Sequence, residues 1–183
     1  MNYAAIKKND VANGTGVRVS LFVSGCRHGC AGCFNREAWD FSYGEELTPD
    51  TVNSIADACA KPYIDGLSVL GGEPFEPENQ AGVLGVIREV KERFPNKNVW
   101  CYTGFTFDEL TKEGSRARTQ HTDEILSLVD ILVDGRYEAA KRDLTLRFRG
   151  SSNQCIIDVK QTLKNGSIVL WDESADAVHF RGD

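Results

Sequence analysis

Three of the chain's six cysteines, Cys26, Cys30 and Cys33, fall inside the stretch S-G-C-R-H-G-C-A-G-C-F-N at residues 24–35. Sulfurs spaced four and three residues apart can face one centre if the backbone turns sharply, and Gly25, Gly29 and Gly32 permit that turn. Three kinds of chemistry use such a group. Structural zinc takes four ligands and usually has a second paired cluster downstream. Here Cys59, Cys101 and Cys155 stand alone, leaving His28 as the candidate fourth ligand. Disulfide or dithiol chemistry leaves one thiol of a triplet unused. A four-iron cluster on three thiolates leaves one iron without a protein ligand, open to a small molecule, and that accounts for the missing fourth cysteine.

Three other stretches carry groups suited to a ligand. In G-G-E-P-F, Gly71 and Gly72 allow close backbone approach, Pro74 stiffens the exit, and Glu73 can accept a hydrogen bond from a cationic amine. The plain alternative is a turn. Thr103 in Y-T-G-F and Asp134 in V-D-G-R-Y are polar groups in loops, equally suited to turn or cap roles. The segment L-R-F-R-G-S-S-N-Q, 146–154, contains no group that geometry alone singles out and reads as a solvated loop before a strand. Cys59, on a helix face, and Cys101, facing inward from a strand, read as small buried hydrophobes. His121 and His179 sit in no motif and are given no role.

The elements that must position these loops follow from the hydrophobic pattern. Strands are expected at 17–24, 66–70, 98–102 and 130–133, each running straight into one of the unusual loops. Helices are expected at 49–60, 80–94, 107–113 and 122–128. In the second, Val83, Ile87 and Val90 recur at helical spacing before Pro95. C-I-I-D-V and S-I-V-L-W read as two further strands joined through Asn165-Gly166, a pair that favours a tight turn. Strands alternating with helices predict an α/β fold with a mostly parallel sheet. The loops then gather at the carboxyl edge of the sheet, where such folds bind ligands, and form one site.

The 183 residues suit one domain, 1–183, without repeats or linkers. A hydrophobic fraction of 41% and a charged fraction of 26% exclude a disordered chain, and apolar runs such as L-S-V-L are too short to span a bilayer. The start, M-N-Y-A-A-I-K-K-N-D, lacks a secretory h-region, so a cytoplasmic location is expected. A net charge of −6 argues against a nucleic-acid surface, and the basic stretch K-R-D-L-T-L-R-F-R-G is too short to reverse it. In a reducing compartment the cysteines are expected to be ligands or buried apolar groups.

The C-x3-C-x2-C spacing followed by G-G-E resembles the radical S-adenosylmethionine superfamily. Its G-C-F-N form, together with Y-T-G-F-T-F-D-E-L, L-V-D-G-R-Y and F-R-G-S-S-N-Q, is similar to the branch that activates anaerobic ribonucleoside-triphosphate reductase. The resemblance spans about residues 15–160. One departure is that Gly32, not an aromatic, precedes the third cysteine, and Phe34 follows it; another is Cys155 where an arginine is expected. The resemblance implies an incomplete (β/α)6-type barrel. It implies a [4Fe-4S] cluster on Cys26, Cys30 and Cys33, and S-adenosylmethionine chelated at the open iron. It further implies a cofactor site made by Gly32, Cys33, Phe34, Gly71, Gly72, Glu73, Thr103, Asp134 and Arg136. Within it, Phe34 lies against the adenine or in the core, the G-G-E backbone and the Glu73 carboxylate receive the methionyl amino group, and Arg136 faces the ribose or carboxylate. No catalytic side chain is implied beyond cluster and cofactor. The implied reaction is reductive cleavage to methionine and a 5′-deoxyadenosyl radical, which takes a hydrogen atom from a glycine of the reductase's glycyl-radical subunit. The electron comes from a donor such as flavodoxin or ferredoxin. The sequence leaves open an activase of the pyruvate formate-lyase type, a radical enzyme acting on a small molecule, and a zinc-stabilised binding module.

Overall fold

Four runs of β-branched and apolar residues become the four central strands. A computed structural model describes residues 1–172; His179 and the segment E-S-A-D-A-V-H-F-R-G-D, 173–183, lie outside the described residues. Strands β2 (Arg18–Val23), β4 (Gly66–Gly71), β5 (Asn98–Tyr102) and β6 (Ile131–Asp134) pair in parallel, in that order. The sheet is completed by three antiparallel strands. β1 (Asn2–Asp10) pairs with β2, the two-residue β3 (Glu45–Glu46) with β1, and β7 (Cys155–Asp158) with β6. The order β3-β1-β2-β4-β5-β6-β7 leaves β3 and β7 as edges, so the seven-stranded sheet is open and does not close on itself.

The register builds the core in rows. Leu21, Val69, Cys101, Leu132 and Ile157 are consecutive partners across five strands on one face. That face is covered by α1 (Pro49–Cys59), α2 (Pro77–Arg93), α3 (Phe107–Thr111) and α4 (Thr122–Leu128), whose Ile55, Ile87, Leu110 and Ile125 join the same buried cluster. Helix starts are set locally. Thr48 caps α1 by accepting from the Thr51 amide at 3.2 Å, and Thr106 with Glu109 forms a reciprocal capping box on α3. Pro77 at the first position of α2 starts that helix three residues earlier than its apolar repeat indicates. Cys59 and Cys101 are fully buried, as expected of small hydrophobes.

Two features depart from the sequence reading. β1 was not expected, because its exposed Lys7, Lys8 and Asn9 give no apolar alternation; it is a polar strand near the sheet edge. The expected hairpin between C-I-I-D-V and S-I-V-L-W does not form. Residues Val159–Asn165 are helix α5, capped by Asp158, which accepts from the Gln161 amide at 2.9 Å. Gly166, at φ 67°, ends that helix instead of turning a hairpin, and Leu170 makes a single antiparallel bridge to Ile157. Among the described residues no helix is long and apolar enough to cross a membrane.

Candidate functional site

Parallel pairing puts the loops after β2, β4, β5 and β6 at one edge, and all four line a cavity of about 670 Å³. Its wall includes Cys26, Cys30, Gly32, Cys33, Phe34, Gly71, Gly72, Glu73 and Thr103. The cysteine loop and the G-G-E strip touch through backbone. Glu73 donates its amide to the Gly25 carbonyl at 2.9 Å, and a Cβ on Gly72 would stand 2.6 Å from that carbonyl oxygen. Glycine there is a condition of the approach.

The three loop thiols are free and partly buried. Burial pushes the Cys26 thiol up to about 12, and the Glu73 and Glu76 carboxylates add to the effect. Such a thiol gives up its proton when a cation compensates the thiolate, which is how metal binding couples to deprotonation. Cys30 is also raised, by burial first, with the Arg136 guanidinium opposing. A single zinc ion needs its ligands converging to about 2.3 Å from one point. Among the described residues no group of three His, Cys, Asp or Glu side chains is arranged to hold one ion. The His28 ring, the candidate fourth ligand, is turned to Glu73 instead. A four-iron cluster attaches each thiolate to a different iron, and all three cysteines line the one cavity.

Glu73 is almost completely buried, and its two oxygens serve four protein donors. Oε1 accepts from the Phe75 amide at 2.8 Å and the Thr103 hydroxyl at 2.8 Å; Oε2 accepts from the Gly104 amide at 2.7 Å and meets His28 Nε2 at 2.9 Å. A carboxylate offers about four lone-pair sites, so this one is fully used. Thr103 is buried and faces Glu73. Asp134 is buried outside the cavity lining, where it accepts from the Phe107 amide at 2.8 Å and so anchors the start of α3. Burial raises its pKa above the ordinary carboxylate range. Arg136 is exposed, and Phe34 is 85% exposed on the cavity rim, which rules out the core-aromatic alternative.

Several residues of this site were not singled out by the sequence reading. Glu76 is fully buried and accepts from the Arg27 amide at 2.8 Å, from Arg27 Nη1 at 2.8 Å and from Arg116 Nη1 at 3.0 Å. Asn79 donates to the carbonyls of Ser24 at 2.9 Å and Glu73 at 2.9 Å. The only signal was the composition of the insert between Cys26 and Cys30, where Arg27 and His28 are polar groups able to reach carboxylates. The 146–154 segment is also not a solvated loop. Gln154 donates to the Gly135 carbonyl at 2.9 Å, Asn153 to that of Arg136 at 2.8 Å, and Leu146, Phe148 and Arg149 line the cavity.

Comparison with known proteins agrees with this geometry. The family described as "4Fe-4S single cluster domain" matches residues 12–157. An anaerobic ribonucleoside-triphosphate reductase-activating protein of Enterobacteria phage T4 is 40% identical over 154 residues, covering 84% of this chain and 92% of its own length. Proteins of the same name from Pasteurella multocida and Escherichia coli K12 are 38% and 35% identical over 160 residues, covering 85% of this chain and 96% and 97% of theirs. With the match running through all four loops of the site, the chain belongs to the family of 4Fe-4S anaerobic ribonucleoside-triphosphate reductase-activating proteins.

Proposed function

We propose that the chain is the activating enzyme of an anaerobic ribonucleoside-triphosphate reductase, with S-adenosylmethionine as its second cofactor. One observation carries the reading: the loop bearing Cys26, Cys30 and Cys33 shares a single cavity with the G-G-E strip, inside a family defined by a 4Fe-4S cluster. In this reading the three thiolates hold the cluster and leave one iron for the amino and carboxylate groups of the cofactor. When bound, the cluster and cofactor together supply reductive cleavage of the sulfonium and hydrogen-atom abstraction from a glycine of the reductase.

The protein's own part is to orient and to exclude water. The glycine pair Gly71-Gly72 admits the methionine part of the cofactor close to the backbone, and Phe34 on the rim offers an apolar surface to the adenine. Thr103 acts through Glu73, and Asp134 through the start of α3, as fasteners of neighbouring loops. The charge of exposed Arg136 favours the Cys30 thiolate, which sets it toward the cluster end of the site. In this reading the open sheet stands in place of a closed barrel, and its openness suits a partner whose glycine arrives on a loop of a large protein. A reduced flavodoxin or ferredoxin supplies the electron.

Iron, zinc and acid-labile sulfide per chain, measured on protein prepared without oxygen, test the cluster. About four irons and four sulfides are expected; one zinc without sulfide would end the reading. Mixing the reduced protein and S-adenosylmethionine with the reductase should give a glycyl radical by electron paramagnetic resonance. A radical formed only on a pyruvate formate-lyase-type partner would reassign the substrate.

A further inference from the structure

Two residues of the C-x3-C insert end on two buried carboxylates of the strip that follows β4. His28, with 2% of its side chain exposed, meets Glu73, with 1% exposed, at 2.9 Å. One residue earlier, Arg27 gives both its backbone amide and its guanidinium to Glu76. Buried carboxylates are costly unless every lone pair is used; Arg27 supplies the amide and a guanidinium N–H to Glu76, and His28 supplies one of Glu73's four partners. The neighbouring loop is cut to fit the arrangement. A Cβ on Gly104 would stand 2.5 Å from His28 Cδ2 and 2.6 Å from Nε2, while Phe105 packs edge-on to the same ring at 4.5 Å between centroids. Asn79 holds the entry of the loop through the Ser24 carbonyl. All these bonds join protein groups.

We propose that Glu73 and Glu76 are positioning residues that preset the cysteine loop before iron arrives, Glu73 through His28 and Glu76 through Arg27. Glu73's carboxylate is thereby committed to the protein and does not serve as the acceptor for the amino group of S-adenosylmethionine. Only the purpose of the clamp rests on the proposed function.

The test uses the full chain, free of metal. In the unaltered protein the Arg27 amide, bonded to Glu76, should be protected from hydrogen exchange; exchange at the rate of an unstructured peptide would overturn the proposal. His28→Ala and Gly104→Ala, the second by displacing the ring without removing it, should both speed exchange across 26–33. Both should weaken retention of reconstituted iron about tenfold, the cost typical of losing a partner that orients a metal ligand. His28→Gln, which keeps an N–H for Glu73, should restore most of the protection and the iron. Unchanged exchange in His28→Ala, or no rescue by glutamine, would refute the clamp. Iron-loaded His28→Gln should bind S-adenosylmethionine within about threefold of the unaltered protein, a difference well under 1 kcal/mol. Failure of the unaltered protein to take up iron would sink the functional reading alone, since the exchange data still judge the clamp.

Discussion

On the helix-covered face of the central sheet, Leu21, Val69, Cys101, Leu132 and Ile157 form an unbroken apolar row against α1, α2 and α4. One residue over, on the opposite face, the same strands present Ser20, Ser68, Trp100 and Ile131, with fully buried Arg18 at the end of β2. Among the described residues Arg18 meets no carboxylate hydrogen-bond partner. It donates to Ser68 Oγ at 2.6 Å and to the carbonyls of Leu67 at 2.8 Å, Asn98 at 3.2 Å and Thr15 at 3.1 Å, and stacks on Trp100. Among the described residues no helix covers this face. The chain's own loops do, Phe148 and Trp171 packing edge-on to Trp100 at 5.2 and 5.3 Å. The first face is held by area, where any well-shaped apolar group serves. The second is held by particular bonds and opens into the cavity, so substitutions there should act on the site as well as on stability.

The largest contrast is expected at the loop. Replacing Cys26, Cys30 or Cys33 by Ala should remove essentially all retained iron while leaving the unfolding midpoint of the metal-free protein nearly unchanged, as read by iron content and denaturant titration. On the helix face the effects should reverse. Ile87→Ala should lower unfolding stability by about 3 kcal/mol, yet the folded fraction should keep its full iron. Iron lost in proportion to stability would erase the distinction between the faces. Arg18→Ala should cost about 2 kcal/mol, through acceptors left unpaired in the interior, and should loosen the Trp100 environment seen by fluorescence. A neutral result would mean that burial of the charge costs as much as its bonds return. Cys59→Ala should cost about 1 kcal/mol, and it separates structural from ligating thiols if iron is fully retained. Phe34→Ala, on the exposed rim, should change stability by less than about 0.5 kcal/mol while weakening S-adenosylmethionine binding, measured by titration of the iron-loaded protein.

Residues with local signatures were legible without a structure. The four parallel strands, the capped helices and the edge that collects the loops all follow from short-range patterns of apolar, glycine and capping residues. The Asn165-Gly166 pair shows the limit. The same two residues can turn a hairpin or end a helix, and the choice was made by Asp158, which caps α5, and by Val159 and Thr162, which bury its inner face. β1 was invisible for a related reason: as a polar strand it gains its place from pairing with β2, not from its own alternation.

By itself the sequence determined three thiols at cluster spacing, a glycine pair before Glu73, and a parallel sheet to bring them to one edge. Spacing along the chain is enough for this, because the ligands sit within one loop and each loop follows its own strand. Only the tertiary structure decided what the remaining polar groups are for. Glu73 takes bonds from the Gly104 amide and from His28, and Asp134 from the Phe107 amide, all from segments distant in sequence. A buried carboxylate must find donors, and which donors lie within reach is settled when the loops pack, not when the residues are strung together.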